Sequence, residues 1–320
     1  NNKQERIGLA IDLIKDFDLD AYRIRRAQVG QTEFLPGIKE PPSISNEPPS
    51  STNNFCVVAV DGSHIDVDRN IAARCFLINV GVSVLEYGDN PKADLYSEPK
   101  LYATDEELVI IDPATYREQV IEGAVLGAKR TVEEVKAMAS TLKELPLQLP
   151  TLAMIDGPLA MIGLIPSRNQ DFVLRELVEE GFGREMDHIA ELGVNHSLAL
   201  VGYISMPAST EIVKALRLMA CTYDVQEEGF KCGIRGLGRK PCGSCVGGLM
   251  DRDVFSKILK PGQRSELFAT TFTGIEEYYA TDIFFFPQLT RGRTRQVPAP
   301  AVGGWGWHRP PGRRCCHSFR

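Results

Sequence analysis

Two short apolar runs end in nearly the same way, and this pair constrains the fold of the 320-residue chain more than any other feature. Val58-Ala-Val-Asp61-Gly62-Ser63 closes the first, and Ala153-Met-Ile-Asp156-Gly157-Pro158-Leu159 closes the second. The first run, Phe55–Val60, is too apolar for an edge and reads as a buried strand. The second, Thr151–Ile155, is shorter and reads the same way. A long helical pattern separates them. If the two strands are parallel neighbours, Asp61 and Asp156 face each other across a few ångströms.

A carboxylate at the carboxyl end of an apolar strand sits in the crevice where α/β sheets place ligands. Two carboxylates held that close are costly unless one is protonated or a cation lies between them. Hard oxygen ligands with no His beside them suit Mg²⁺ or Mn²⁺. The plainer reading is that each Asp-Gly makes a turn. Its recurrence behind two apolar strands favours the metal site. The helix between the strands should supply a further ligand, with Glu133 and Glu134 in its second half and Glu118 and Glu122 upstream. A solvated helix face explains any one of these equally well, and only proximity to the two Asp residues can choose.

The rest of the chain gives a mixed α/β order. Residues 4–28 alternate apolar and charged positions at helical spacing, so 1–35 is read as an N-terminal helical segment. Residues 36–54 hold five Pro among Ser, Asn and Thr and are read as a linker. Arg74–Glu86 is a second strand able to hairpin back on the first, and Val109–Ile111 a short third. Asp112-Pro113 reads as the start of the long helix, which runs to about Lys143 and stops before Pro146. Further expectations are helix over 170–192, strand over Ser197–Ile204, helix over 208–220 and an aromatic strand at Ile283–Phe286. No apolar run reaches the ~18 residues of a membrane helix and no secretory leader is read, so a soluble, cytoplasmic protein is expected.

The net charge of −6 conceals an asymmetry. Residues 291–320 hold seven Arg and no acid, which leaves −13 on residues 1–290. Both Trp residues lie in the same stretch, beside five Gly and four Pro. Residues 287–320 are therefore read as an atypical Arg/Gly/Pro-rich tail, disordered or out of frame. An Arg/Gly-rich arm for nucleic acid is the functional alternative.

Cys221, Cys232, Cys242 and Cys245 fall in a Gly-rich insertion over 221–248. A Cys-x₂-Cys pair with two further thiols can close a Zn²⁺ site or hold an Fe–S cluster. The alternative is that Cys221 is a core residue and the others belong to a flexible loop. Cys56 and Cys75 read as core, and His64 as an exposed turn histidine.

The series of motifs resembles one family. Val60-Asp61-Gly62-Ser63-His-Ile-Asp-Val-Asp-Arg69 looks like the opening motif of the NurA nuclease domain. Lys129-Arg130-Thr-Val-Glu133-Glu134, the Asp156-Gly157-Pro158 run and Val201-Gly-Tyr203-Ile-Ser205 follow in order. Asp251-Arg252-Asp-Val-Phe255, Pro261-Gly-Gln-Arg264-Ser265 and Ile283-Phe-Phe-Phe286 complete the series, which covers about 55–286.

The resemblance implies an RNase H-like mixed sheet flanked by helices, with the Cys-rich insertion added. It implies a Mn²⁺-dependent DNase that cuts single-stranded DNA and resects ends 5′ to 3′. Such proteins act as homodimers with a HerA-type hexameric ATPase in double-strand break repair. By position, Asp61, Glu134 and Asp156 would be the catalytic and metal-binding acids, with Glu133 the alternative to Glu134. Tyr203 would assist, and Ser63 and Arg130 would contact DNA. A two-metal mechanism, with ions ~3.5–4 Å apart, would need no side-chain nucleophile.

Two departures stand out. Ser205 replaces a frequent Lys, and the C-terminal element that brings a His to the family's site is not recognisable around His308 or His317. A scaffold that has lost its chemistry, or a Cys₄ nucleic-acid-binding module, are the competing expectations.

Overall fold

The computed structural model describes residues 2–29, 35–47, 52–66, 74–161, 171–221, 246–270, 283–290 and 293–300. They fall into two compact units. The central unit is built mainly from Ser51–Gly202, and the end unit from Asn1–Ser50, Tyr203–Thr273 and Asp282–Ala299.

The end unit contains α1 (Asn2–Lys15), α2 (Leu19–Val29), β1 (Gly37–Ile38) and β2 (Ser45–Asn46). The central unit follows with β3 (Phe55–Asp66), β4 (Phe76–Tyr87), β5 (Lys92–Tyr102), β6 (Val109–Ile111), β7 (Glu118–Val120), α3 (Gly123–Glu144) and β8 (Thr151–Asp156). It continues through α4 (Asp171–Leu174), a π-helical stretch (Arg175–Gly183), α5 (Arg184–Asn195) and β9 (Leu198–Tyr203).

The central sheet has the strand order β5-β4-β3-β8-β9. β3, β4 and β5 form an antiparallel meander, with Val60 opposite Val82 and Ile78 opposite Lys100. β8 joins the other side of β3 in parallel, pairing Val58 with Ala153 and Val60 with Ile155. This order, a meander extended by a parallel strand after a helical crossover, is RNase H-like and mixed α/β.

One face of the sheet, carrying Val58, Val60, Ile78, Val80, Val82, Ala153 and Ile155, is buried. α3 covers it, lying against β3 and β4 with Leu126, Val132, Val135, Met138 and Leu142 turned inward. Those spacings are the 3.6-residue period of an amphipathic helix. The π-helical stretch and α5 pack on α3 in turn.

The end unit adds α6 (Glu211–Met219), α7 (Asp251–Ile258) and the strands β10 (Arg264–Ser265), β11 (Phe268–Ala269), β12 (Ile283–Thr290) and β13 (Arg293–Pro300). Its sheet runs β1-β11-β12-β10-β2, with β13 paired to β12. Ile7, Ile14, Tyr22, Leu216, Phe255, Phe268 and Phe285 share its core. Asp251 is buried there and caps α6 from a distant part of the chain. Its Oδ1 accepts the N–H of Val213 at 2.9 Å and its Oδ2 accepts the Ser209 hydroxyl at 2.7 Å.

Several expectations need correction. β3 does not stop at Asp61 but runs on to Asp66, because its partner β4 supplies pairing over the whole length. His64 is therefore a strand residue, not a turn residue. The long helix begins at Gly123, not at Asp112. Asp112 instead builds the turn between β6 and β7, accepting the N–H of Ala114 at 3.1 Å and the Thr115 hydroxyl. The stretch 36–54 contributes β1 and β2, so it is not solely a linker. β12 extends past Phe286 and β13 follows, which brings residues 287–290 and 293–300 of the expected tail into the sheet. Residues 301–320 lie outside the described residues.

Candidate active site

Asp61 and Asp156 are brought together by the parallel pairing of β3 and β8. That pairing matches Val60 with Ile155, so the next residue on each strand is an aspartate. Parallel neighbours stand about 4.8 Å apart. Side chains alternate along a strand, which turns both carboxylates away from the face that buries Val60 and Ile155. Both aspartates are exposed. Gly157, which follows the second, has φ +128° and turns the chain out of β8. The two Asp-Gly pairs thus do different things: the second makes a turn, whereas the first lies within a continuous strand.

Glu134 arrives from α3 and is 1% exposed. It lies over Gly62, whose missing side chain opens the space it fills. Arg130, one turn earlier on α3, stands 3.3 Å from Glu134 through Nε and donates from Nη1 to the Gly62 carbonyl at 3.0 Å. One arginine thereby ties the helix to the strand beside Asp61.

Burial pushes the Glu134 carboxyl up to about 7, against the charge of Arg130, and the charges of Asp61 and Asp156 add to the rise. Glu134 Oε2 is buried without a hydrogen-bond partner.

Glu134 is thus the one set over β3, whereas Glu133 is not. Glu133 pairs with Lys129 at 2.9 Å and with Lys136 at 3.7 Å. Burial works against its ionised form, but the hydrogen bond and charge of Lys129 hold its carboxyl below the usual range. Glu118 lies in β7 and Glu122 is the N-cap residue of α3.

The donor chemistry fits a divalent cation. Asp61 and Asp156 stand side by side, and Glu134, with an unused, buried oxygen, feels the charge of both; hard oxygen donors suit Mg²⁺ or Mn²⁺. They do not form a closed cage as they stand: among the described residues no group of three or more His, Cys, Asp or Glu side chains converges to hold an ion.

The other candidates are placed as follows. Tyr203 is the last residue of β9, the strand beside β8, and is half-buried. Ser63 follows Gly62 in β3 opposite Asn79 and is exposed. Cys221 is buried and free, while Cys232, Cys242 and Cys245 lie outside the described residues. Cys56 and Cys75 are free as well. The tie from Arg130 to the Gly62 carbonyl escaped sequence reading, because a helix–strand contact 68 residues apart leaves no local pattern. No described helix is long and apolar enough to cross a membrane.

A mixed sheet of this order, with carboxylates on two adjacent parallel strands and on the crossover helix, defines the RNase H-like class. Within it, the chain belongs to the NurA domain family, which matches residues 56–295.

No curated protein matches the sequence. Among solved structures, the chain is similar to the NurA nuclease from Sulfolobus solfataricus, at 11% identity and a TM-score of 0.42, covering 90% of this chain and 78% of that one. The catalytic domain of human endonuclease V gives 12% identity and a TM-score of 0.32, covering 90% and 83%. A further NurA structure gives 16% identity and a TM-score of 0.21 over 47% and 32%.

Proposed function

We propose that the chain is a divalent-metal-dependent DNase in which Asp61, Glu134 and Asp156 hold the metal, Mn²⁺ or Mg²⁺. The observation that carries this reading is Glu134: a buried carboxylate with an unpartnered oxygen beside two strand-borne aspartates. A bound divalent cation would supply an activated water and neutralise charge on the phosphoryl and leaving oxygens.

The chain's own residues prepare that site. Gly62 leaves the space Glu134 needs, and Arg130 fixes Glu134 against β3. Asp61 and Asp156 are set side by side by strand register. In this reading Tyr203 assists, and Ser63 and Arg130 contact the DNA backbone.

In the fuller reading the protein is a cytoplasmic homodimer that trims DNA ends 5′ to 3′ and cuts single strands in double-strand break repair, delivered by a HerA-type hexameric ATPase. Membership of the NurA family supports this reading. So does the acidic body of the chain, which gains from a partner that supplies DNA. The four-cysteine insertion is a candidate site for Zn²⁺ or an Fe–S cluster.

The test is cleavage of single-stranded DNA in Mn²⁺, Mg²⁺ or EDTA by the full chain and by Asp61→Ala. Metal-dependent cleavage that disappears with Asp61 is the expected result. A folded chain that cuts nothing in either metal overturns the catalytic reading and leaves a non-catalytic scaffold.

A further inference from the structure

A second feature of the central unit opens on the face of the sheet that α3 covers. A cleft of about 460 Å³ lies between the β5 edge of the sheet and the second half of α3. Glu133, which lines it, is the immediate neighbour of Glu134: one residue faces the cleft and the other faces Gly62. β5 is two strands from β3, about 10 Å away.

The walls carry the chemistry that single-stranded nucleic acid uses. Tyr96 is 39% exposed, and its hydroxyl is held by Thr141 Oγ1 at 3.0 Å, so an open aromatic ring is fixed in one place. Aromatic rings in that state are stacking platforms for bases. Lys100 and Lys136 stand on opposite walls, from β5 and α3. The Lys100 ammonium sits 4.6 Å from the centre of the Tyr102 ring. Tyr102, itself 3% exposed, has a hydroxyl buried without a partner. Burial pushes that phenol up, so it remains a proton donor. Glu98, Glu133 and Glu144 face these two lysines, and Lys129, paired with Glu133 at 2.9 Å, makes up the balance. The cleft is thus close to neutral, which suits one base with its phosphate better than a cluster of phosphates.

We propose that this cleft is a subsite for one nucleotide of single-stranded nucleic acid. Tyr96 stacks the base, and Lys100 and Lys136 receive the adjoining phosphates. This binding does not rest on the nuclease reading.

The probe is a fluorescein-labelled oligothymidylate titrated against the full chain in EDTA, where no cleavage competes. Tyr96→Ala should weaken binding about tenfold, and Tyr96→Phe, which keeps the ring, should stay within about twofold of the wild type. Lys100→Ala combined with Lys136→Ala should flatten the slope of log affinity against log salt by about 1.4. Wild-type affinity in Tyr96→Ala together with an unchanged slope in the lysine pair overturns the proposal, even where cleavage depends on Asp61. Weakened binding in these variants of a chain that cuts no DNA supports the subsite and overturns only the catalytic reading. Far-ultraviolet circular dichroism identifies any variant that has lost its fold. For such a variant the salt slope of the lysine pair and the affinity of Tyr96→Phe decide.

Discussion

Glu134 and Gly62 occupy adjoining space so closely that a methyl group on residue 62 would stand 2.8 Å from Cγ and 3.0 Å from Cδ of Glu134. The backbone of β3 is regular there and needs no glycine for its own conformation. What requires glycine is the side chain descending from α3.

Gly62→Ala is therefore expected to displace Glu134 while leaving both aspartates in place. Overpacking of this kind costs about 1–3 kcal/mol, because the flexible Glu side chain can yield. Cleavage should fall about a hundredfold, as a misplaced catalytic group allows. Single-turnover cleavage and urea melts of the same variant separate the two effects. Wild-type rates in a destabilised Gly62→Ala chain would detach Glu134 from the chemistry.

The carboxyl of Glu134 titrates near 7 in the folded chain, against an ordinary value of 4.5. The folded state thus holds this proton more tightly than the unfolded one. The stability it contributes is full below about 4.5 and is lost as pH rises through about 7. In EDTA, wild-type stability should fall across that window relative to Glu134→Gln, by an amount on the order of 3 kcal/mol. Glu211, pushed up to about 8 chiefly by burial, titrates in the same direction. It is present in both proteins and cancels in the difference. Melts at several pH values check the prediction, and parallel curves for the two proteins would refute it.

Mn²⁺ should raise the melting temperature of the wild type and of Glu133→Gln, but not of Asp61→Asn or Asp156→Asn. At a hundredfold excess over the dissociation constant, a single site contributes about 2.7 kcal/mol. Differential scanning fluorimetry with and without Mn²⁺ reads this directly. Equal shifts in all four proteins would place the ion elsewhere.

Asp251 belongs to one of the motifs that mark the family, yet its surroundings are structural. It caps α6 through Val213 and takes the Ser209 hydroxyl. Asp251→Ala leaves these donors unpaired in the core, at a cost of about 2–3 kcal/mol. The loss should appear in denaturant midpoints, while the single-turnover rate of the remaining folded protein stays unchanged. A lost rate at full stability would assign Asp251 to catalysis instead.

Much of the site was legible in the sequence because apolar strands ending in Asp-Gly announce both the strand and its carboxylate. Asp61, Asp156 and the two buried strands that carry them were read from that pattern, whereas the adjacency of β3 and β8 was only a condition there and comes from the sheet. The choice between Glu133 and Glu134 was not legible there. Both lie on α3, and only the sheet beneath decides which one meets Gly62 and which meets Lys129.

β5 was missed for a related reason. As an edge strand exposed along nearly its whole length, it has no buried face to impose alternation on Lys92–Tyr102. The start of α3 was misplaced because Asp112-Pro113 serves a hairpin turn as well as it would a helix cap. The tail's first strands carry too much Arg and Pro to resemble strands, and only pairing with β12 reveals them.

The order of the two units along the chain bears on how the protein is made. The described strands and helices that carry Asp61, Glu134 and Asp156 form one uninterrupted stretch, whereas the end unit needs both the first fifty residues and those beyond 203. On the ribosome, the carboxylates can therefore assemble while the early helices still wait for their partners. The opening segment, with buried positions such as Ile7, Ile14 and Tyr22, spends that interval without its core. It is the part of the nascent protein with most to gain from a chaperone.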